Sequence, residues 1–300
     1  MQIKKIYFKT TDKLSLIGLL HMPEEKQTRT CMISVHGITS NCLRYRDDVI
    51  AQKLTKQGIA YFTFDNRGHD IINTYDSIQN GYMNFYGSGA ENIYDCDKDI
   101  EAAIKAMIEN GYSQIILQGH SLGATKAVYS YNQFVKNNLD IAKNIVGVSL
   151  LSLVDVPQFL KVVCGDNYKK VINYLKLLEK KKKGNKIVSI DGFPPIMPRT
   201  ILNCMEESKI DFARYSDDNY EFNELNNIQV PLFMRWGNNK ELITQDAQQL
   251  VKKMNEKITN KNKDINFIDK ANHNYKGKEE ILANQISEWI YNQINLTNKT

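Results

Sequence analysis

The stretch that most constrains the fold of this chain is Gly119-His120-Ser121-Leu122-Gly123. It follows the apolar run 114–117 and precedes a helix-like segment over 124–135. A G-x-S-x-G pentapeptide between a strand and a helix predicts a sharp turn that holds the serine hydroxyl above the sheet edge, and the glycines relieve crowding in that turn. Small residues can also form such a turn without any chemistry. Because a strand precedes this turn and a helix follows it, Ser121 is the candidate nucleophile.

Apolar runs of strand length alternate with amphipathic helical segments along most of the chain. The first two runs, 3–10 and 14–22, predict an antiparallel strand pair at a sheet edge. Further strands are predicted at 30–35, 59–64, 114–118, 145–151, 230–236 and 265–268, with helices between most of them. This alternation predicts an α/β fold with a mostly parallel, doubly wound sheet, whose loops at the carboxyl edge can carry chemistry.

The alternation stops from Pro157 to about Asn227. We interpret residues 157–227 as a helical cap or lid inserted into a core formed by residues 1–156 and 228–300; a separate domain or a long loop is the alternative. Aromatic residues of this segment are candidates for an apolar pocket lining, although each is more often a core residue. They are Phe193, Phe212, Tyr215, Tyr220 and Phe222.

A serine hydroxyl needs a base to take its proton. The chain has five histidines. His120 lies inside the turn itself and would point away from the serine, and His21, His36 and His69 precede it. His273 alone lies downstream, in a polar loop between the last predicted strand and the last predicted helix. A histidine in such a loop is often only a surface residue. In proteins with this kind of serine turn, however, the general base follows the serine in the chain, so we predict His273 as the base.

A second short motif, His36-Gly37-Ile38, follows the predicted strand at 30–35. A loop at this position can direct a backbone N–H group toward the carbonyl oxygen of a substrate. We predict an oxyanion hole formed by the backbone N–H groups of Ile38 and Leu122, with Gly37 letting the backbone turn.

These motifs occur in an order that resembles the α/β-hydrolase superfamily over nearly the whole chain: His36-Gly37, then Asp-Asn-Arg-Gly-His at 65–69, then the turn at Ser121, then Asn272-His273. More narrowly, Lys126 in G-H-S-L-G-x-x-K and the Arg-Trp-Gly-Asn segment 235–238 are similar to bacterial serine esterase-like hydrolases near the feruloyl-esterase and siderophore-esterase branches. The resemblance implies an α/β-hydrolase fold with a helical cap insertion. It also implies that Arg67 ties loops together.

In the hydrolases that the chain resembles, the catalytic acid usually lies in the loop after the strand predicted at 230–236. Their common pattern has an aspartate three residues after the glycine, but this chain has Lys240 there and Glu241 one position later. We predict Glu241 as the acid, because the extra methylene of glutamate can offset a shift of the loop. Asp155 is the alternative acid, or a helix cap before Pro157. An asparagine of the loop at 238–239, or no acid at all, also remains open.

The resemblance implies a serine hydrolase, and we predict a carboxylesterase that acts on a small-molecule ester through an acyl-enzyme. The same residues can serve a thioesterase or a peptidase. A non-catalytic binder on a hydrolase scaffold is a further alternative. Serine at the turn, with no aspartate there, disfavours haloalkane-dehalogenase and epoxide-hydrolase chemistry.

Composition and spacing exclude several other classes of function. The five cysteines are odd in number and lack C-x-x-C spacing, which favours reduced thiols over disulfides or a metal site. No cofactor motif is present, and we predict none. Segment 161–190 holds nine lysines and two acidic residues, and its run at 180–183 predicts a solvated helix end rather than a nucleic-acid site. No apolar stretch can span a bilayer, so we expect a cytoplasmic protein without a membrane partner and leave its oligomeric state open.

Overall fold

The computed structural model describes residues 1–25, 28–74, 78–79, 82–190, 193–205, 208–239, 242–243 and 245–294. Within these ranges, eight strands form one sheet: β1 (Gln2–Lys9), β2 (Ser15–Met22), β3 (Thr30–Val35), β4 (Ala60–Phe64), β7 (Gln114–His120), β8 (Ile145–Leu151), β9 (Leu232–Gly237) and β10 (Lys263–Ile268). Two short strands, β5 (Ile78–Gln79) and β6 (Tyr82–Met83), form a separate antiparallel ribbon.

Helices connect the strands and cover both faces of the sheet. They are α1 (Tyr45–Thr55), α2 (Cys96–Glu109), α3 (Leu122–Lys136), α4 (Val156–Cys164), α5 (Tyr168–Lys180), α6 (Pro198–Leu202), α7 (Asn223–Asn226), α8 (Ala247–Lys257) and α9 (Glu279–Gln293). α1 and α9 pack on one face in a cluster with residues such as Met32 and Ile116, and α2, α3 and α8 pack on the other with residues such as Ile33 and Leu117. The predicted doubly wound sheet is confirmed.

The strand order is β1-β2-β4-β3-β7-β8-β9-β10. β2 pairs antiparallel with both β1 and β4, and the pairs from β4 to β10 are parallel. The central strands β3 and β4 are buried along their whole length, as expected for strands covered on both faces. β1 lies at the edge and exposes Lys4, Lys5 and Lys9, which discourage pairing with another chain. The predicted antiparallel edge pair is confirmed.

A buried ion pair ties the loop after β4 to helix α2. Arg67 donates to Asp99 from its backbone N–H at 2.8 Å and from Nη2 at 2.8 Å, and from Nη1 to Asp12 at 3.0 Å. The side chain of Arg67 is 5% exposed and that of Asp99 is fully buried. The expectation that Arg67 ties loops together is confirmed.

The segment from residue 152 to residue 231, here named the β8–β9 segment, carries α4, α5, α6 and α7. Its first part has a small core of its own, which includes Leu160, Ile172 and Leu175. Its last part packs differently, because Tyr215 and Phe222 belong to the main core of the sheet. The cap boundaries at 157–227 stay a prediction. Lys180, Lys181, Lys182 and Lys183 are exposed, as expected for a solvated helix end.

α6 is a short helix that ends at Leu202. Asn203 caps this short helix, and a turn follows in which the Cys204 N–H donates to the Ile201 carbonyl at 2.9 Å. No disulfide joins the five cysteines, all of which lie in the described ranges. In the described part of the chain, no helix is long and apolar enough to cross a membrane.

We expect the substitution Asp99→Asn to lower the free energy of unfolding by about 3 kcal/mol, because it leaves the buried guanidinium of Arg67 without its nearest carboxylate. The matched control is Glu101→Gln on the same helix, which removes the acid of a partly exposed pair with Lys105 and should cost under about 0.5 kcal/mol. Urea unfolding of both variants measures the difference. Equal losses would contradict a tie between the loop and the helix.

Candidate active site

The predicted turn at Ser121 joins β7 directly to α3. Ser121 has φ 57° and ψ −125°, a backbone conformation that non-glycine residues rarely adopt. The flanking glycines are required by close backbone approach. A Cβ at Gly119 would lie 2.2 Å from the Gly123 carbonyl oxygen, and a Cβ at Gly123 would lie 2.1 Å from the Val35 carbonyl oxygen. The Ser121 N–H donates to the Leu151 carbonyl at 2.9 Å, which fixes the turn against β8.

The loop after β3 lies directly against this turn. A Cβ built at Gly37 would lie 2.9 Å from the Cβ of Ser121 and 3.0 Å from the His120 carbonyl oxygen, so only glycine fits there. Ile38 and Leu122 both line the cavity onto which Ser121 opens. The Leu122 N–H is the first of α3 and has no partner within that helix. The two predicted oxyanion-hole residues therefore flank Ser121.

His36 holds the loop after β3 in place. Its Nε2 accepts a hydrogen bond from the Asn66 N–H at 3.2 Å, so the proton lies on Nδ1, which donates to the Gly37 carbonyl at 2.9 Å. Burial and the nearby charge of Lys126 lower the pKa of His36 to about 3. The imidazole is therefore neutral at physiological pH, and this neutral form makes both hydrogen bonds.

His273 lies in the loop between β10 and α9 and is half-buried. Its carbonyl oxygen accepts hydrogen bonds from His120 Nε2 at 2.8 Å and from Ser152 Oγ at 3.1 Å, and the rings of His120 and His273 are 4.9 Å apart. Burial lowers the pKa of His120 well below its usual value. The loop of the predicted base is thus anchored on the residue that precedes Ser121. Among the hydrogen bonds of the described residues, none joins the Ser121 hydroxyl to the His273 ring.

The loop predicted to carry the acid docks on the loop of His273. A Cβ at Gly237 would lie 2.2 Å from the Ala271 carbonyl oxygen, and the Asn239 N–H donates to that oxygen at 2.8 Å. The Asn238 side chain donates to Asp269 at 2.9 Å and accepts from the Lys270 N–H at 2.6 Å. Glu241 itself lies outside the described residues.

Asp155, the alternative acid, caps α4 and is 1% exposed. One carboxylate oxygen accepts from the Gln158 N–H at 3.1 Å, and the other accepts from the N–H of Ser216 at 3.2 Å and from its hydroxyl. These contacts favour the interpretation of Asp155 as a helix cap. Its role as an alternative acid stays a prediction.

A cavity of about 200 Å³ opens beside Ser121. The β8–β9 segment supplies most of its wall, with Phe159, Leu160 and Val163 from α4 and Phe193 from the loop before α6. Among the five aromatic residues that the sequence offered for a pocket, Phe193 lines this cavity, whereas Phe212, Tyr215 and Phe222 are fully buried in core clusters and Tyr220 packs against one of them.

An ion pair in the cavity wall was missed by the sequence analysis. Lys126 Nζ donates to Glu91 at 2.7 Å and to the Asn66 side-chain oxygen at 3.2 Å, and both charged side chains are at most 2% exposed. The only signal for this pair was Lys126 itself, a lysine within the predicted helix that follows the turn at Ser121. In the described part of the chain, no cluster of three or more His, Cys, Asp or Glu side chains could hold a metal ion.

The sheet order, the sharp turn at Ser121 and the loops that converge on it define an α/β hydrolase. A family model described as serine aminopeptidase, S33, matches residues 26–189, which is more than half of the chain. The chain therefore belongs to this hydrolase family.

Solved structures of esterases share the fold at low sequence identity. Est1E from Butyrivibrio proteoclasticus, solved with ferulic acid, is 14% identical with a TM-score of 0.67, over 96% of this chain and 99% of that chain. An esterase from Pyrococcus furiosus is 17% identical with a TM-score of 0.60, over 98% and 92%. The esterase domain of a Rhodothermus marinus protein is 16% identical with a TM-score of 0.59, over 98% and 100%. No curated protein sequence matches the chain significantly.

We expect acid to destabilise the protein through His36 and His120. Both pKa values are lowered in the folded state, so below pH 6.5 the unfolded chain binds protons that the folded protein does not. The stability is present above pH 6.5 and is lost as the pH falls, by up to about 3 kcal/mol per pH unit for the two groups. Urea unfolding between pH 7 and pH 5 measures this slope. His120→Gln should lower the slope by up to about 1.4 kcal/mol per pH unit, and an unchanged slope would contradict the assignment.

Proposed function

We propose that this protein is a serine hydrolase that cleaves carboxylic esters through an acyl-enzyme intermediate, with Ser121 as the nucleophile. The observation that carries the proposal is the strained backbone of Ser121 at the mouth of an apolar cavity. A non-glycine residue is held in such a conformation only where surrounding structure enforces it, and such strain clusters at active sites. The esterases of the same fold support this choice of reaction.

In this mechanism Ser121 Oγ attacks the ester carbonyl carbon while His273 takes its proton. The N–H groups of Leu122 and Ile38 stabilise the oxyanion that forms. Collapse of the tetrahedral intermediate expels the alcohol, which takes the proton from His273. Water then attacks the acyl-enzyme with His273 as base and releases the acid and Ser121. We expect the imidazole to reach Ser121 Oγ when substrate binds, since catalytic hydrogen bonds are often long in ligand-free states.

We propose Glu241 as the acid that orients His273. The supporting observation is that the described part of the same loop, at Gly237 and Asn239, packs against Ala271, two residues before His273. A carboxylate there would fix the imidazole tautomer and stabilise its protonated form. Asp155 is the weaker candidate, because both of its oxygens already accept hydrogen bonds from Gln158 and Ser216.

The cavity beside Ser121 is the proposed acyl pocket, and residues 157–227 are the proposed cap over it. Side chains of the β8–β9 segment, such as Phe159 and Phe193, would pack against the acyl chain. The proposed reaction needs no cofactor. A peptidase remains the second candidate, since the family model carries that description.

We expect Ser121→Ala to abolish ester hydrolysis and labelling by a fluorophosphonate probe, because no other group replaces the attacking oxygen. Loss of a triad serine typically lowers turnover on the order of a millionfold. Hydrolysis of p-nitrophenyl esters measures turnover, and circular dichroism confirms that the variant folds. A variant that kept more than a few per cent of the wild-type rate would show that Ser121 is not the nucleophile, and an unlabelled wild type would favour a non-catalytic binder.

We expect Glu241→Gln to lower kcat by up to about ten-thousandfold, as for a triad histidine held in the wrong tautomer. Asp155→Asn is the matched control, because asparagine caps a helix about as well as aspartate. The same ester assay ranks the two variants. The reverse ranking would move the acid to Asp155, and little effect from either would show that His273 works without a carboxylate partner.

A further inference from the structure

Glu91 lies in the wall of the proposed acyl pocket. Of the described residues that line this cavity, Glu91 alone carries a formal charge. Lys126, five residues after Ser121 on α3, donates to it at 2.7 Å. The Asn66 side-chain oxygen accepts a second hydrogen bond from the same ammonium group at 3.2 Å, which keeps Nζ beside the carboxylate. The pair is neutral as a unit, and its side chains are 1% and 2% exposed.

The other side-chain hydroxyl groups among the described lining residues, those of Ser88 and Thr200, already have partners. Thr200 Oγ1 donates to the Glu91 carbonyl at 3.0 Å, and Ser88 Oγ donates to the Asp70 carbonyl at 2.6 Å. Both protons therefore point into the protein, and Ser121 provides the reactive hydroxyl. The rest of the described lining is almost entirely aliphatic or aromatic. A charged group entering this cavity would lose its water without finding a free counter-charge among the described lining residues.

We propose that Lys126 determines the acyl specificity of the site: by neutralising Glu91, it makes the cavity accept an uncharged apolar acyl group and reject one that carries an α-ammonium. This inference rests on the proposed function, in which Ser121 is acylated by a group bound in this cavity. A substrate ammonium close to Glu91 would also lie close to Lys126, and repulsion between the two cations is strong where water is excluded.

The proposal separates this chain from the activity that its family description names. An aminopeptidase acts on a residue with a free α-amino group, which is protonated at neutral pH. A buried carboxylate without its own cation could bind that group. Glu91 has its cation already, so this wall of the pocket selects against the substrates of an aminopeptidase and for neutral esters.

The test compares three methyl esters with the same carbon skeleton: those of hexanoic acid, α-hydroxyhexanoic acid and α-aminohexanoic acid. The hydroxy ester separates the effect of polarity from that of charge. Each kcat/KM is divided by the uncatalysed rate at the same pH, because an α-ammonium activates an ester chemically. We expect the wild type at pH 6.5 to prefer the hydroxy ester over the amino ester by at least about tenfold, because only about 5% of the α-amino groups are uncharged at that pH.

A pH series on the wild type tests the same point without a variant. The α-amino group loses its proton at about pH 7.7 to 8.0. The preference for the hydroxy ester should therefore shrink about tenfold between pH 6.5 and pH 9. A preference that stays constant across this range would show that size or polarity, and not charge, causes the discrimination.

Substitution of Lys126 tests its role directly. Lys126→Met removes the ammonium and leaves Glu91 without a counter-charge, so we expect the preference against the amino ester to fall at least tenfold. Glu91→Gln combined with Lys126→Met removes both charges and should restore the preference for the hydroxy ester. Lys105→Met, which removes the lysine of an exposed pair on α2, is the control and should leave the preference unchanged.

The outcomes distinguish this inference from the proposed function. A wild-type protein that does not label with a fluorophosphonate would refute the proposed function. A protein that labels but hydrolyses the amino and hydroxy esters equally well, or hydrolyses none of the three, would refute the specificity proposal alone. So would a Lys126→Met variant that labels and keeps the wild-type preference. If that single variant does not fold, the double variant and the pH series still decide the question.

Discussion

The candidate site depends on how closely three stretches of backbone approach one another. Gly119 lets the end of β7 approach the start of α3, and Gly123 lets the start of α3 approach the end of β3. Gly37 lets the loop after β3 approach Ser121. Backbone at this distance cannot shift without a clash. The rare conformation of Ser121 is therefore enforced from both sides, and the hydroxyl is held in place before any substrate binds.

Buried polar contacts then fix the loops around that turn. His36 holds the Gly37 carbonyl on one side and the Asn66 N–H on the other, while Lys126 holds the Asn66 side chain. His120 reaches in the opposite direction, to the backbone of His273. Each of these groups would be costly to bury without a partner, so the loops gain one preferred arrangement. Burial at these positions lowers the pKa of both histidines and keeps them neutral, which links the geometry of the site to pH.

Much of this arrangement could be predicted from local patterns. The strands at 30–35 and 145–151 have the bounds that their apolar runs indicate, and the turn at Ser121 follows from its glycines. The position of His273 follows from its place between the last strand and the last helix. The Glu91–Lys126 pair could not be predicted, because ion pairing between residues distant in sequence leaves no periodic signal. The prediction of which aromatic residues line the pocket was only partly correct for a related reason. The sequence does not distinguish Phe193 from Phe222, and only tertiary packing puts the first in the cavity wall and the second in the core.

The contacts of Asp155 have a consequence for how the β8–β9 segment can vary in length and sequence. The Asp155 carboxylate accepts hydrogen bonds from the N–H of Gln158, where the chain leaves the sheet, and from the N–H of Ser216, where the chain returns toward it. The chain between Gln158 and Ser216 therefore begins and ends at the side chain of Asp155. Between these two residues, Met197, Thr200 and Asn203 also bond to the stretch 89–92, so changes of length are best tolerated in α5, away from those contacts. In a fold joined in this way, the part of the β8–β9 segment that covers the pocket can differ in sequence and length while the strands and Ser121 keep their positions.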